Sequence, residues 1–121
     1  MSIKVLIIDD ECDLCELICG IFAKEDFEFA CARSLREAEE KLQLKQDIII
    51  LDHNLPDGLG LEFLKKHRES FDNSRIIMIS ADPNLNLLAQ AAKEGVSGFL
   101  QKPFSMHRIR EVIKSVTDSN Q

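Results

Sequence analysis

The feature that most constrains this fold is the segment of residues 48–60, IIILDHNLPDGLG, in which four apolar residues run directly into Asp52. An unbroken apolar run of this length favours a strand that is buried on both faces, as in a parallel sheet. The Asn, Pro and Gly residues that follow predict a turn. An aspartate held at the end of such a strand either caps a helix or does chemistry, and we favour the second interpretation.

Four further apolar runs, residues 3–8, 27–32, 75–79 and 96–100, predict strands on either side of a central strand at 47–51. Because strands alternate with amphipathic helices, we expect an α/β fold with a five-stranded parallel sheet and helices on both faces. The flavodoxin-like strand order 2-1-3-4-5 is the common arrangement for such a chain. Residues 1–121 are predicted to form a single domain, with a core of about 3–116 and a polar tail, 117–121, that frays.

Apolar residues at helical spacing predict which face of each helix packs on the sheet. Ser34 and Glu37 predict a capping box at the start of the second helix, and Gly95 predicts the end of the fourth. The residues expected on buried faces include Leu14, Leu17, Ile18, Ile21 and Phe22 in the first helix, Leu88, Ala91 and Ala92 in the fourth, and Met106, Ile109, Val112, Ile113 and Val116 in the fifth.

Composition excludes several classes of protein. Hydrophobic residues make up 45% of the chain and charged residues 30%, an ordinary mixture for a globular domain. No apolar run approaches the ~20 residues of a membrane span, and the N-terminus is too soon acidic for a signal peptide. The net charge of -6 and the absence of a Lys/Arg cluster argue against binding to nucleic acid. We therefore expect a cytoplasmic domain that binds neither membranes nor nucleic acid directly.

The chain has four cysteines, of which Cys12, Cys15 and Cys19 fall at helical spacing and Cys31 lies in the second predicted strand. A structural zinc site would need another ligand at matching spacing, and none is evident. We expect reduced, unreactive thiols. Cys15 and Cys19, placed on the outer side of the first helix, are either passive or part of a docking surface.

Polar side chains follow the predicted strands at the point where each strand ends. Asp9 and Asp10 follow the first strand, Asp52 the third, Ser80 the fourth and Lys102 the fifth. The carboxyl ends of parallel strands meet at one edge of the sheet, and ligands bind there next to the point where strand order reverses. Taken singly, Asp9 or Ser80 would be interpreted as a helix cap. Together, these residues indicate a functional site.

The residue types at this edge favour phosphoryl transfer. Carboxylates packed together repel one another, and a divalent cation with hard oxygen ligands, Mg²⁺ or Mn²⁺, relieves that repulsion. Asp52 can act as a nucleophile and form an acyl phosphate. Lys102 and the hydroxyl of Ser80 can bind the phosphoryl oxygens.

The chain resembles the receiver domains of response regulators in bacterial two-component signalling, which belong to the CheY-like superfamily. The resemblance runs from residue 3 to about 116. Each motif is weak alone, but the ordered set is specific. The set comprises Asp9-Asp10, Asp52 with Pro56 and Gly60 after it, Ser80-Ala81, and residues 95–104, GVSGFLQKPF.

The resemblance implies a role for each matching residue. Asp52 matches the phosphoacceptor, Asp9 and Asp10 the acidic metal pair, and Lys102 the phosphate-binding lysine. Asn54 matches the position whose backbone carbonyl completes the Mg²⁺ shell. Ser80 and Phe99 match the switch pair, although Phe99 lacks the hydroxyl of a tyrosine and could also be a fixed core residue. The resemblance further implies a cis peptide bond between Lys102 and Pro103.

The resemblance also implies a signalling switch rather than an enzyme, with only transfer to and hydrolysis from its own aspartate. A sensor histidine kinase or a histidine phosphotransfer protein would donate the phosphoryl group. The conformational change would alter the face formed by the fourth helix, fifth strand and fifth helix, which is also where dimerisation is expected. In most relatives an effector domain would begin after the fifth helix, so we expect either a stand-alone receiver or a fragment of a larger regulator.

Two other functions remain open on the residues alone. An aspartate-nucleophile phosphatase of the haloacid-dehalogenase type carries its nucleophile after the first strand, whereas Asp52 follows the third. A pseudo-receiver that acts only as an interaction module would be expected to lack some of Asp10, Asp52 and Lys102, and all are present. His53 follows Asp52 directly, but alternation along the strand points it away, so we expect a structural role for it.

Overall fold

The computed structural model describes residues 2–82 and 84–118. Seven strands and five α-helices follow one another along these ranges, with a short 3₁₀ helix, Arg68–Phe71, after the third α-helix. The strands are β1 (Ile3–Ile8), β2 (Phe27–Ala32), β3 (Ile48–Asp52), β4 (Asn54–Leu55), β5 (Gly58–Leu59), β6 (Arg75–Ser80) and β7 (Gly98–Gln101). The helices are α1 (Cys12–Ile21), α2 (Leu35–Lys41), α3 (Gly60–Lys66), α4 (Leu85–Lys93) and α5 (Met106–Asp118).

Five of the strands form one parallel sheet in the order β2-β1-β3-β6-β7. The order confirms the predicted 2-1-3-4-5 topology, because β4 and β5 form a separate small antiparallel hairpin between the third and fourth strands of the sheet. The third and fifth strands of the sheet begin one or two residues later than predicted, and the fourth extends one residue further, to Ser80. Differences of this size are typical of element ends.

Alternation along the strands divides the core into two layers, one on each face of the sheet. Val5, Ile7, Ile48 and Ile50 belong to the layer formed with α1 and α5. The residues next to them in sequence belong to the layer formed with α2, α3 and α4, namely Leu6, Ile8, Ile49 and Leu51. The three inner strands, β1, β3 and β6, are buried on both faces along most of their length, which explains their long apolar runs.

Several predicted helix ends are confirmed. The Ser34 hydroxyl accepts a hydrogen bond from the Glu37 N–H at 3.1 Å, as in the predicted capping box. The Glu37 carboxylate, however, accepts its bond from the Arg33 N–H at 3.3 Å rather than from the N–H of Ser34. Gly95 follows the end of α4 with a φ of +94°, a conformation that glycine adopts without strain. The fifth helix extends through Asp118, so Thr117 and Asp118 belong to the helix rather than to a tail after it. The remainder of the predicted tail, residues 119–121, lies outside the described residues.

Three predictions about buried helix faces are wrong. Leu17 is 40% exposed and Met106 is 56% exposed, although both were expected in the core. In α4 the buried residues are Leu87 and Ala91, while Ala92 is exposed. In α1 the core face comprises Leu14, Cys15, Ile18 and Phe22. Each helix is therefore rotated slightly relative to its predicted apolar stripe, as the packing against neighbouring elements requires.

The expectation that all four thiols are reduced is also wrong in this structure. Cys15 of α1 and Cys31 of β2 form a disulfide, with Cα atoms 6.5 Å apart, a separation that such a bond spans. Cys15 is buried in the core rather than turned outward, and Cys19 is a free, half-buried cysteine. The side chain of Cys12 lies outside what the structure describes.

Within the described residues, no helix has both the length and the apolar character needed to cross a membrane.

Candidate functional site

The acids, the serine and the lysine predicted to form a site lie at, or just after, the carboxyl ends of the sheet strands. The backbone ladder continues past those ends: the N–H of Asp9 donates to the carbonyl of Ala32, and the N–H of Lys102 donates to the carbonyl of Ser80, each at 2.9 Å. Asp52 is the last residue of β3, opposite Ile79 of β6. The sheet therefore fixes the backbone at each of these positions.

Alternation gives these residues different directions. Asp9, Asp52 and Lys102 continue the alternation of the layer that packs against α1 and α5. Ser80 and Phe99 continue the alternation of the opposite layer, where Phe99 packs partly buried against the core. The sequence thus divides the site into an acidic cluster and a separate pair of residues on the other side of the sheet.

The acidic cluster is formed by Asp9, Asp10 and Asp52, whose nearest carboxylate oxygens all lie within 4.8 Å of one another. Asp9 and Asp52 are buried, whereas Asp10 is exposed. One cation faces this group: Lys102 Nζ lies 3.0 Å from Asp9 Oδ2 and 3.1 Å from Asp52 Oδ2. The structure therefore brings together the predicted acidic pair, the predicted acceptor and the predicted lysine.

A fourth acid, Glu11, also contacts Lys102, although it was not predicted as a site residue. Its Oε1 accepts a hydrogen bond from Lys102 Nζ at 2.8 Å. Its side chain is largely exposed, and its position after Asp9-Asp10 gave no periodic signal. The N–H of Glu11 also donates to Asp9 Oδ1 at 2.8 Å. Glu11 therefore helps to orient both Asp9 and Lys102.

The electrostatic balance of this cluster can be read from two pKa shifts. Burial raises the pKa of Asp9, which the N–H of Glu11 and the charge of Lys102 oppose and the charge of Asp52 reinforces. Burial works against the charge of Lys102, yet the carboxylates of Glu11, Asp9 and Asp52 raise its pKa above the ordinary value. Lys102 is therefore charged at neutral pH, while burial makes Asp9 harder to ionise than a solvent-exposed aspartate.

The donor set fits a hard divalent cation. Asp9 Oδ2 is buried and makes only an ion pair with Lys102, so this oxygen has no hydrogen-bond partner among the described residues. Oxygen ligands from carboxylates are the ones that Mg²⁺ and Mn²⁺ prefer. A cation bound by Asp9, Asp10 and Asp52 would satisfy that oxygen and reduce the mutual repulsion of the cluster.

Two hydrogen bonds hold the loop after β3 against the end of that strand. The N–H of Asn54 donates to Asp52 Oδ1 at 3.1 Å, and the N–H of Gly60 donates to the carbonyl of His53 at 2.7 Å. A Cβ on Gly60 would lie 2.4 Å from the backbone oxygen of Asp52. Glycine is therefore required where α3 begins, and the loop holds Asn54 beside the carboxylate of Asp52.

His53 has a structural contact of its own. Its Nδ1 accepts a hydrogen bond from the N–H of Leu61, at the start of α3, with a distance of 3.3 Å. Burial lowers the pKa of His53, although the charges of Asp52 and Glu62 oppose the shift. A neutral imidazole that accepts a backbone hydrogen bond agrees with the structural role expected for it.

The second group comprises Ser80 and Phe99. Ser80 is buried, and its hydroxyl accepts a hydrogen bond from the N–H of Asp82 at 3.1 Å. Phe99 lies in β7 opposite Met78 and lines a surface groove of about 410 Å³ between α4 and α5. The peptide bond between Lys102 and Pro103, just after β7, is cis, as the sequence resemblance implied.

Comparison with known proteins agrees with the family resemblance of the sequence. The profile of the response regulator receiver domain family matches residues 5–114. The response regulator protein PilR of Pseudomonas aeruginosa is 34% identical over 91% of this chain, which spans only 25% of PilR. The chemotaxis protein CheY of Thermotoga maritima is 33% identical over 97% of this chain and 99% of its own length.

A solved structure extends the comparison to the fold. A two-component response regulator from Clostridium difficile superposes with a TM-score of 0.88 at 25% identity, over 97% of each chain. The parallel sheet, the acids at its carboxyl edge and the family profile over most of the sequence therefore lead to one conclusion. The chain belongs to the response regulator receiver domain family of two-component signalling.

Proposed function

We propose that this domain is a phosphoacceptor switch in which Asp52 receives a phosphoryl group from a histidine kinase or a histidine phosphotransfer protein. The observation that carries the proposal is the position of Asp52. Its carboxylate is buried at the end of the central strand, contacts Lys102 at 3.1 Å and lies within 4.8 Å of two further carboxylates. A rigid, partly desolvated carboxylate beside a fixed cation is suited to nucleophilic attack on phosphorus.

In the proposed transfer, one carboxylate oxygen of Asp52 forms a bond to phosphorus as the bond from phosphorus to the donor histidine nitrogen breaks. The leaving imidazole keeps the electron pair of that bond and takes up a proton. Lys102, which already contacts Asp52 Oδ2, would then bind an oxygen of the transferred group. Ser80 would bind another once its hydroxyl turns from the Asp82 N–H, its present partner.

The proposal includes Mg²⁺, or Mn²⁺ in its place, bound by Asp9, Asp10, Asp52 and the backbone carbonyl of Asn54. The Oδ2 of Asp9, which is buried and has an ion pair with Lys102 but no hydrogen bond among the described residues, and the spacing of the three carboxylates support this assignment. When bound, such a cation neutralises the acids and stabilises negative charge on the phosphoryl oxygens.

The proposed output is a change on the face formed by α4, β7 and α5. Ser80 would move toward the phosphoryl group, and Phe99 would occupy the space that it leaves. The half-buried position of Phe99, on the same side of the sheet as Ser80 and at the edge of a surface groove, supports this coupling. Phosphorylation would thereby shift the population between two conformations, and the same face is our candidate for dimerisation or for contact with an effector domain.

The experiment that tests the proposal is phosphorylation by a small donor. Wild-type protein incubated with acetyl phosphate and Mg²⁺ should gain the mass of one phosphoryl group, and EDTA should prevent the gain. Asp52→Asn keeps the shape of the side chain but not the nucleophile, so it should gain nothing. A gain of one phosphoryl mass in Asp52→Asn would overturn the assignment of Asp52 as the phosphoacceptor. Turnover of an external phosphomonoester would favour a phosphatase instead.

A further inference from the structure

We propose that Asp57 is a positioning residue for the metal site: it clamps the loop that carries Asn54 to the first turn of α2. The inference rests on the proposed function, in which the carbonyl of Asn54 is a metal ligand. It adds a residue whose own side chain binds neither the metal nor the phosphoryl group.

Both carboxylate oxygens of Asp57 are committed to the backbone of α2. Oδ1 accepts a hydrogen bond from the N–H of Leu35 at 2.9 Å, and Oδ2 accepts one from the N–H of Arg36 at 3.0 Å. The bond from Leu35, followed by that from Arg36, lowers the pKa of Asp57 although burial opposes the shift. Asp57 is exposed to solvent, and a charged carboxylate on two backbone donors at a helix start is a favourable contact even there.

This contact does more than cap a helix, because α2 has a cap of its own. The Ser34 hydroxyl, immediately before α2, accepts from the Glu37 N–H at 3.1 Å. Asp57 takes the two preceding N–H groups from 21 and 22 residues away in sequence. Ser34 therefore caps only its own helix, whereas Asp57 connects that helix to the hairpin after Asp52.

The loop is built so that a constraint at Asp57 reaches Asn54. Asp57 precedes Gly58 in the hairpin of β4 and β5, in which Asn54 pairs with Leu59 and Leu55 pairs with Gly58. At the other side of the hairpin, the N–H of Asn54 is bonded to Asp52 Oδ1 at 3.1 Å. The hairpin is thus held at one end on the acceptor and at the other end on α2.

Close packing supports the same clamp. Gly58 has a φ of +153°, and a Cβ at this position would lie 2.9 Å from Leu35 Cδ1. The hairpin therefore approaches the first residue of α2 too closely for a larger side chain to fit without adjustment. Leu35 of α2 and Leu55 of the hairpin both pack against the core layer that includes Ala38. The hairpin and α2 are therefore held against the same part of the core.

Residues that orient a metal ligand without touching the metal commonly change its affinity by about 10–100-fold when they are removed. Without Asp57, the hairpin would lose its hydrogen bonds to α2, and the bond from the Asn54 N–H to Asp52 Oδ1 would open more often. The carbonyl of Asn54 would then sample more positions, and each bound metal would have to order the loop.

The test is calorimetric titration with Mg²⁺ alone on wild-type protein and three variants. Asp57→Ala should weaken Mg²⁺ binding about tenfold, and Asp57→Asn, which keeps one accepting oxygen, should weaken it less. Ser34→Ala is the matched control, since it removes a cap from the same helix and leaves the loop intact. It should bind Mg²⁺ as the wild type does.

Amide hydrogen exchange without metal measures the clamp independently. Exchange at the Asn54 N–H should be faster in Asp57→Ala than in the wild type, and unchanged in Ser34→Ala. Unchanged Mg²⁺ affinity and unchanged Asn54 exchange in Asp57→Ala would overturn the inference, as would equal effects of Ser34→Ala. If the wild type itself fails to bind Mg²⁺, the proposed metal site fails, while the exchange data still decide whether Asp57 holds the loop.

Discussion

Replacing Lys102 by methionine should destabilise the metal-free protein strongly. Lys102 Nζ lies 3.0 Å from Asp9 Oδ2 and 3.1 Å from Asp52 Oδ2, and its side chain is only 19% exposed. Methionine keeps much of the length of the side chain but removes the charge. The substitution leaves two buried carboxylates facing each other without a cation, which is the costly way to break a buried ion pair.

The size of the effect follows from the burial of the two acids. Removing one partner of a buried pair typically costs about 3–5 kcal/mol. Because the site opens to solvent near Lys102 and Asp10 is exposed, water relieves part of the charge, and we expect about 3 kcal/mol. An unfolding entropy of about 2.1 cal/mol/K per residue converts this loss, for a chain of 121 residues, into a fall in Tm of about 12 °C.

The assay is thermal unfolding followed by circular dichroism, with Lys114→Met as the control. Lys114 Nζ lies 3.0 Å from Glu25 Oε2, so the distance matches the pair at the site, but the two side chains are 42% and 25% exposed. Lys114 is exposed, and Glu25 keeps its ion pair with Arg110 when Lys114 is replaced. The control should therefore lose much less stability than Lys102→Met. Mg²⁺ should restore more stability to Lys102→Met than it adds to the wild type, because it supplies the missing positive charge.

Two results would refute this reasoning. Equal losses in Lys102→Met and Lys114→Met would mean that burial of the acids has no bearing on their need for a cation. A gain in stability without metal would mean that Lys102 costs more to desolvate than it returns by pairing with Asp9 and Asp52.

Three further predictions concern packing, pH and metal. Gly60→Ala should lower the free energy of unfolding, measured by urea titration, by about 2 kcal/mol because the added Cβ would meet the backbone oxygen of Asp52. Gly20→Ala is the control: nothing lies near its added Cβ, and it should raise the free energy of unfolding by about 0.5–1 kcal/mol. The pKa of Asp57 is lowered from 3.8, so the ionised carboxylate stabilises the fold above pH 3.8, and this stabilisation is lost as the pH falls through the lowered pKa. The difference in unfolding free energy between the wild type and Asp57→Asn should therefore become smaller in acid. A difference that does not change with pH would contradict the contact. Mg²⁺ at one hundred times its Kd should stabilise the wild type by about 2.7 kcal/mol, reversibly with EDTA, and no stabilisation would argue against the site.

The sheet could be predicted from sequence because its strands are buried on both faces. Unbroken apolar runs such as residues 48–51 leave little choice of structure, and the order of the strands follows from general rules for parallel sheets. Since those rules also bring the strand ends together, the positions of Asp9, Asp52 and Lys102 at one edge could be predicted before any distance was known.

The rotation of the helices could not be predicted in the same way. Leu17 and Met106 fit the apolar periodicity of their helices, yet both are exposed. Periodicity marks an apolar stripe, whereas the residues that reach the core depend on how each helix crosses the sheet and its neighbours. The contact between Cys15 and Cys31 depends on the same packing, because it joins a helix to a strand 16 residues away.

The polar contacts around the site were the hardest to predict. Glu11 and Asp57 lie in connecting segments, where no periodicity distinguishes a solvated acid from one with a partner. Glu11 bonds to a lysine 91 residues further along the chain, and Asp57 bonds to backbone groups of another helix. Such contacts depend on the assembled fold rather than on local sequence.

The most direct test of the central claim is to locate the phosphoryl group itself. Wild-type protein phosphorylated by acetyl phosphate with Mg²⁺ can be reduced with borohydride, which converts a phosphorylated aspartate to homoserine, and then digested and analysed by mass spectrometry. We predict homoserine at position 52 and unmodified aspartate at positions 9, 10 and 57. Homoserine at any of those other positions, with Asp52 intact, would contradict the account.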